Sequence, residues 1–173
     1  MLVAIVAQEY FCITSDGVQR RHELDVEIRD DDLKIDEARR IGRFVKCIAV
    51  RCMASTSLFA HVVPVKGDDE EHYVAKLIVS DIEWLGCTKV ILKSDNEPSL
   101  LALCKRVARL LKMNDSFVDV QEESPVTYGS QSNGGIEVGI RIVRGFYSTV
   151  KLCFEARIGK YLPAAHPISA WLL

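Results

Sequence analysis

Asp95 and Glu137 are the residues of this chain best suited to do chemistry. Asp95 closes an apolar run of strand character, Lys89-Val-Ile-Leu-Lys-Ser-Asp95, and Glu137 stands one turn into a helix opened by the polar, glycine-bearing loop Gly129-Ser-Gln-Ser-Asn-Gly-Gly135. Acids placed in this way suit magnesium. Hard divalent cations take oxygen ligands, and two-ion phosphodiester chemistry needs carboxylates from separate elements converging on one spot. A third acid is therefore expected on an early strand, and Glu9 is the one embedded in the first apolar run.

The elements that must position these acids can be read from periodicity. Leu2 to Thr14 is rich in Val, Ile and aromatics and predicts a central strand buried on both faces. Residues 15–43 are highly charged, with Asp30-Asp31-Asp32 and two Arg-Arg pairs, and read as an insertion or long loop in which Leu24, Val26 and Ile28 could form a short exposed strand. Phe44 to Met53 and Leu58 to Val65 predict a hairpin that could pair with the first strand. Acids at 68–71 precede a helical period, Val74, Leu77, Ile78, Ile82 and Leu85, which Gly86 should end; acids at its start would favour the helix dipole.

Lys89 to Lys93 predicts the fourth strand, and Pro98 the first turn of a helix whose apolar face runs Leu100, Leu101, Cys104, Val107, Ala108 and Leu111. A short fifth strand is expected at Phe117 to Val120, a long helix from about Gly134 to Ile158, and the beginning of one more helix, cut short, from about residue 164. The order predicts an α/β fold: a mixed five-stranded sheet flanked by helices. Strands one to three would be antiparallel, and strands four and five, each reached through a helix, parallel to the first. The whole of 1–173 reads as one domain.

The long helix carries two stripes. Ile136, Ile140, Val143, Tyr147, Val150, Phe154 and Ile158 form an apolar one expected to face the core, and Glu137, Arg141, Arg144, Ser148 and Lys151 share a second face. One acid leading a row of cations could hold a metal ion beside a phosphate backbone. The same face also reads as a solvated surface with Glu137 paired to Arg141, a contact of about 0.3 kcal/mol. Asp95 could equally cap the following helix, and Glu9 could be a polar residue at the sheet surface.

Composition sets wide limits. The 173 residues are 49% apolar and 27% charged, ordinary for a soluble globular domain. The net charge of −2 conceals an asymmetry: residues 1–88 hold 11 Lys/Arg against 16 Asp/Glu (−5), and residues 89–173 hold 11 against 8 (+3). A polyanion should meet the second half. The six cysteines are scattered without a CxxC pair, as in a reduced intracellular protein, cytoplasmic or nuclear; no signal peptide or membrane span is expected.

Several phrases resemble the integrase catalytic core of retroviruses and, more closely, of LTR-retrotransposon polyproteins. They are Phe59-Ala-His-Val-Val-Pro-Val-Lys-Gly67, Val90-Ile-Leu-Lys-Ser-Asp-Asn-Glu-Pro98, Glu122-Glu-Ser-Pro125 and Ser130-Gln-Ser-Asn-Gly-Gly-Ile-Glu137, followed by Leu-Pro and His-Pro phrases at 162–167. The resemblance implies a ribonuclease H-like fold and a polynucleotidyl transferase using two Mg²⁺ or Mn²⁺ ions, which trims a 3′ end and then joins it to target DNA. Carried over by position, the catalytic and metal-binding triad is Glu9, Asp95 and Glu137. Arg141, Arg144, Lys151 and Asn133 become candidate nucleic-acid contacts, and DNA the expected partner, with homo-oligomers also implied.

Glu9 stands where the family has Asp. Its extra methylene displaces the carboxylate by more than a bond length, so a divergent or impaired site is expected. Val138 replaces a commonly basic residue, Gly139 costs the helix about 1 kcal/mol relative to Ala, and the interval 137 − 95 = 42 is a few residues longer than the retroviral one. A fragment or decayed copy of an element protein fits these features. The alternative is a catalytically inactive nucleic-acid-binding or interaction module that keeps the fold. A ribonuclease H is a weaker reading, because it would want an acid on the first helix, where Asp81 and Glu83 come almost at the end.

Overall fold

The computed structural model describes residues 3–14, 44–117, 119–123, 134–164 and 166–173, with the side chains of Val3, Glu9, Cys12, Thr14 and Phe44 outside that description. The charged segment expected to be an insertion, 15–43, lies outside the described residues. The described elements run β1 (Val3–Thr14), β2 (Phe44–Cys52), β3 (Leu58–Val62), α1 (Tyr73–Trp84), β4 (Lys89–Ser94), α2 (Pro98–Lys112), β5 (Asp119–Glu123), α3 (Gly134–Ile158) and α4 (Pro167–Trp171).

The strands form one five-stranded sheet in the order β3-β2-β1-β4-β5. β1 pairs antiparallel with β2, which pairs antiparallel with β3; β4 runs parallel to β1, and β5 parallel to β4. This is the mixed sheet expected from the element order. The two parallel strands follow helices because a parallel return needs a crossover, whereas β2 and β3 are joined by a tight turn. β1 sits in the middle, which explains its apolar character on both faces.

Side chains of β1 alternate between two cores. Ala4, Val6 and Tyr10 join the core under α1 and α2, with Ile48, Val50, Val90 and Leu92 from the neighbouring strands. Ala7, Phe11 and Ile13 join the core under α3, with Cys47, Ala49, Ile136, Ile140 and Tyr147. A period of two in the strand thus builds a three-layer molecule with helices on both faces.

Several sequence expectations shift by a residue or more, each for a local reason. The third strand stops at Val62 rather than Val65: the Val63 amide still donates to Lys46 O at 2.9 Å, but Pro64 has no N–H to continue the ladder. The fifth strand is Asp119–Glu123 rather than 117–120, because its extent follows its pairing with Lys89 to Lys93 and not its own apolar content. Leu103, not Leu101, completes the buried face of α2, with Leu101 only half-buried. No acid lies in the first turn of α1. Asp69 serves it from outside instead, accepting the Tyr73 N–H at 2.8 Å, and Gly86 follows its last turn at φ 64° as expected.

The apolar stripe of α3 meets the core only along its first half. Ile136, Ile140 and Tyr147 are buried, whereas Val150 and Ile158 are exposed. The helix outruns the sheet face that it covers. The final helix is a short one, Pro167–Trp171. Among the described residues no helix is long and apolar enough to cross a membrane.

Candidate active site

The register of β1 against β4 brings the first two acids to neighbouring strands. The last parallel pair is Gln8↔Ser94, so Glu9 and Asp95 each stand one residue beyond it, at the carboxyl end of β4. Carboxyl ends of parallel strands are where open α/β sheets commonly bind ligands. Across β1, Glu9 pairs with Ala49 of β2. The Glu9 backbone is therefore placed within the sheet, while its side chain lies outside the described residues.

Asp95 is half-buried, and its Oδ1 accepts the N–H of Asn96 at 2.7 Å. It does not cap α2. The residue before that helix is Glu97, which makes no side-chain capping bond either, and instead binds Lys66 Nζ at 2.9 Å and Ser99 Oγ at 2.7 Å. Asp95 Oδ2 meets no donor among the described residues, so one oxygen is oriented by the backbone and the other is available.

α3 carries the third acid over the same face. Ile136 and Ile140 pack with Ala7 and Ala49, the same-face neighbours of position 9 along β1 and across on β2. Glu137 lies in the first turn of α3, exposed, where the helix dipole favours a negative charge. The pairing of Glu137 with Arg141, open from the sequence, does not form: among the described residues no hydrogen bond or ion pair engages Glu137.

The cation row is shorter than its periodicity suggests. Arg141 is exposed, and Arg144 is half-buried with its guanidinium 5.9 Å from the centre of the Phe11 ring. Lys151 turns inward. It is 5% exposed, its Nζ is 2.7 Å from Glu155 Oε1, and it lies 4.6 Å over the Tyr161 ring. Glu155 Oε1 also accepts the Leu162 N–H at 2.6 Å, so the segment after α3 folds back and covers this lysine. The expectation that Lys151 faces nucleic acid is corrected accordingly. Asn133 lies outside the described residues.

Two features beside Glu137 take their meaning from the fold. Arg51 of β2 lies on the α3 side of the sheet, and its Nη1 donates to Gly135 O at the start of the helix. Gly139 is buried against the same arginine: a Cβ there would sit 3.0 Å from Leu58 Cδ1 and 3.2 Å from Arg51 Cδ. The helix cost of Gly139 is thus offset by close approach of α3 to the β2–β3 hairpin. The alternation Cys47, Ala49, Arg51 was the available signal, since it puts Arg51 on the inward face of β2.

The two late acids of α1 are engaged elsewhere. Asp81 of α1 is buried and bound to His61 Nε2 at 2.7 Å, and Glu83 Oε1 accepts from Asn114 at 2.7 Å. Both belong to the α1/α2 side of the sheet, so the first-helix acid that a ribonuclease H would want is not presented to Asp95. Among the described residues no three His, Cys, Asp or Glu side chains already form a closed metal cage; Glu9, the third member of the triad, has no described side chain. Asp95 and Glu137 offer oxygen donors, which fit magnesium or manganese better than zinc.

This combination defines the ribonuclease H-like class of α/β fold. Among solved structures the chain is similar to the catalytic core domain of BIV integrase, with a TM-score of 0.51 and 17% sequence identity over 97% of this chain and 80% of that one. That likeness establishes an integrase-core fold. No protein-family model and no curated protein matches the sequence.

Proposed function

We propose that this chain is a retroelement integrase-like polynucleotidyl transferase core, diverged at its first acid. The observation that supports the reading is the register Gln8↔Ser94, with positions 9 and 95 each one residue beyond it, in a sheet whose β1 and β2 pack against the start of α3 through Ile136 and Ile140. In this reading Glu9, Asp95 and Glu137 hold two Mg²⁺ or Mn²⁺ ions. When bound, the ions would activate the attacking oxygen and stabilise charge on phosphorus and the leaving oxygen. The chain's own part is orientation: the Asn96 amide fixes one Asp95 oxygen, and the first turn of α3 presents Glu137 at the surface. Arg141 and Arg144 bind phosphates of the DNA, and Asn133 lies in the loop leading to them.

The test is Mn²⁺-dependent end processing and strand transfer on an end-mimicking DNA duplex. Asp95→Asn should abolish any activity, by about 1000-fold or more, since several kcal/mol of transition-state stabilisation go with the ligand. Glu9→Asp should raise activity if the longer side chain is what impairs the site. Activity that survives Asp95→Asn refutes the assignment.

A second reading keeps the fold as an inactive nucleic-acid-binding or interaction module; Glu at position 9 is the feature that favours it. It predicts DNA binding that weakens with salt, is indifferent to Asp95→Asn and falls with Arg144→Ala.

A further inference from the structure

We propose that Arg51 is a positioning residue for Glu137, an inference that rests on the metal-binding role proposed above. Arg51 pairs with Ala7 on one side and Leu58 on the other, and it is the next inward-facing residue of β2 after Ala49, the cross-strand partner of Glu9. Its guanidinium donates to the carbonyl of Gly135, two residues before Glu137. In an α-helix that carbonyl also accepts the amide of residue 139, and a carbonyl oxygen has two lone pairs to share. Arg51 therefore ties the first turn of α3 to the strand that runs alongside Glu9.

The site needs such a tie. α3 begins Gly134-Gly135, the least constrained pair of residues a helix can start with, and the first turn of a helix has few internal bonds to hold it. A cation beside a helix N-terminus is disfavoured by the dipole, so charge alone does not explain an arginine here. Its stem lies close beneath Gly139, with Cδ 3.2 Å from where a Cβ would stand. Among the described residues the Gly135 carbonyl is the acceptor that engages its head group.

Arg51→Met keeps the stem and removes the donors, while Arg51→Lys keeps the stem and one donor. Two measurements on the full chain separate the possibilities: amide hydrogen exchange along α3, and Mn²⁺ affinity from water-proton relaxation. Arg51→Met should speed exchange at residues 138–141 by about tenfold relative to residues 147–151 and weaken Mn²⁺ binding by about tenfold, the usual effect of losing a group that orients a ligand. Arg51→Lys should restore both to within about threefold of the parent. Unchanged exchange at 138–141 in Arg51→Met overturns the inference, and so does uniform acceleration along all of α3, which marks a general loss of stability. If the parent chain binds no Mn²⁺, the proposed function fails and the exchange pattern alone decides the role of Arg51.

Discussion

The two faces of the sheet are built differently. On the α1/α2 side two helices close over the strands, and the buried set includes Ile48, Ile78, Ile82, Leu92, Leu100, Leu103 and Leu111. On the other side, among the described residues, α3 covers β1 and β2 with help from Leu172 and Leu173, and Ile142, Phe146 and Val150 of that helix are exposed. An open apolar groove of about 290 Å³ runs there between β3, α3 and Leu172-Leu173. Glu137, carried by α3, belongs to this side and is exposed. Among the described residues the α1/α2 face thus holds the larger apolar core, while the α3 face keeps an acid accessible.

The sharpest way to break that comparison is to truncate one core leucine or isoleucine on each face. Leu103→Ala, at a site with 0% exposure, should cost about 3–5 kcal/mol in urea unfolding, and Ile140→Ala on the α3 side about 2–3 kcal/mol, because a more open site can relax around the lost methyl groups. Equal costs would show that the faces are equally closed.

A smaller effect separates Lys151 from the arginines of its row. Lys151→Met should lower stability by about 1–3 kcal/mol by leaving Glu155 without its buried partner, and should leave the salt dependence of DNA binding unchanged. Arg141→Ala should do the reverse, lowering the salt slope by about one unit at nearly constant stability. A Lys151 variant that changes the salt slope would put this side chain back on the surface.

A third contrast uses pH. On the α1/α2 side burial pushes the Asp68 carboxyl up, but hydrogen bonds and charge from Arg106 and His72 outweigh it and hold the group below its usual range. Arg106 Nε and His72 Nδ1 lie 2.7 and 2.8 Å from its two oxygens. A carboxyl depressed in the folded state contributes stability above its unfolded value of about 4, and that contribution disappears as pH falls through the lower folded value. The Tm difference between the parent and Asp68→Asn should therefore shrink as pH falls below about 4. A difference that persists at pH 2 would mean that ionisation of Asp68 is not what holds this loop to α2.

The mildest probe is thiol labelling. Cys104 is on the buried face of α2 with its thiol pushed up to about 11, chiefly by burial, whereas Cys153 on the outer stretch of α3 is exposed. Cys153 should react first with a thiol reagent at pH 8 and Cys104 only on unfolding. Simultaneous reaction would show that the two faces open together.

Much of this was legible in the chain itself. The bounds of α3, Gly134–Ile158, followed from its apolar repeat, and the parallel placement of β4 and β5 followed from the helices between strands. Asp95 and Glu137 stood out because an acid at a strand end or in a first helical turn contradicts its apolar surroundings. Lys151 was misjudged for the opposite reason: a helical wheel shows which residues share a face, but not what later folds over that face. Arg51 was missed because an arginine in a strand reads as an edge charge until the helix above it is in place.

By itself the sequence determined most of the local elements and their order and singled out the candidate acids, since strand and helix periods depend on residues two to four apart. Only the tertiary structure decided that positions 9 and 95 stand side by side, that Lys151 is enclosed by Glu155 and Tyr161, and that Arg51 reaches Gly135. Apart from Lys151 and Glu155, which are neighbours on one helix, those outcomes join residues far apart in the chain, and so they depend on how whole elements pack, which no local pattern encodes.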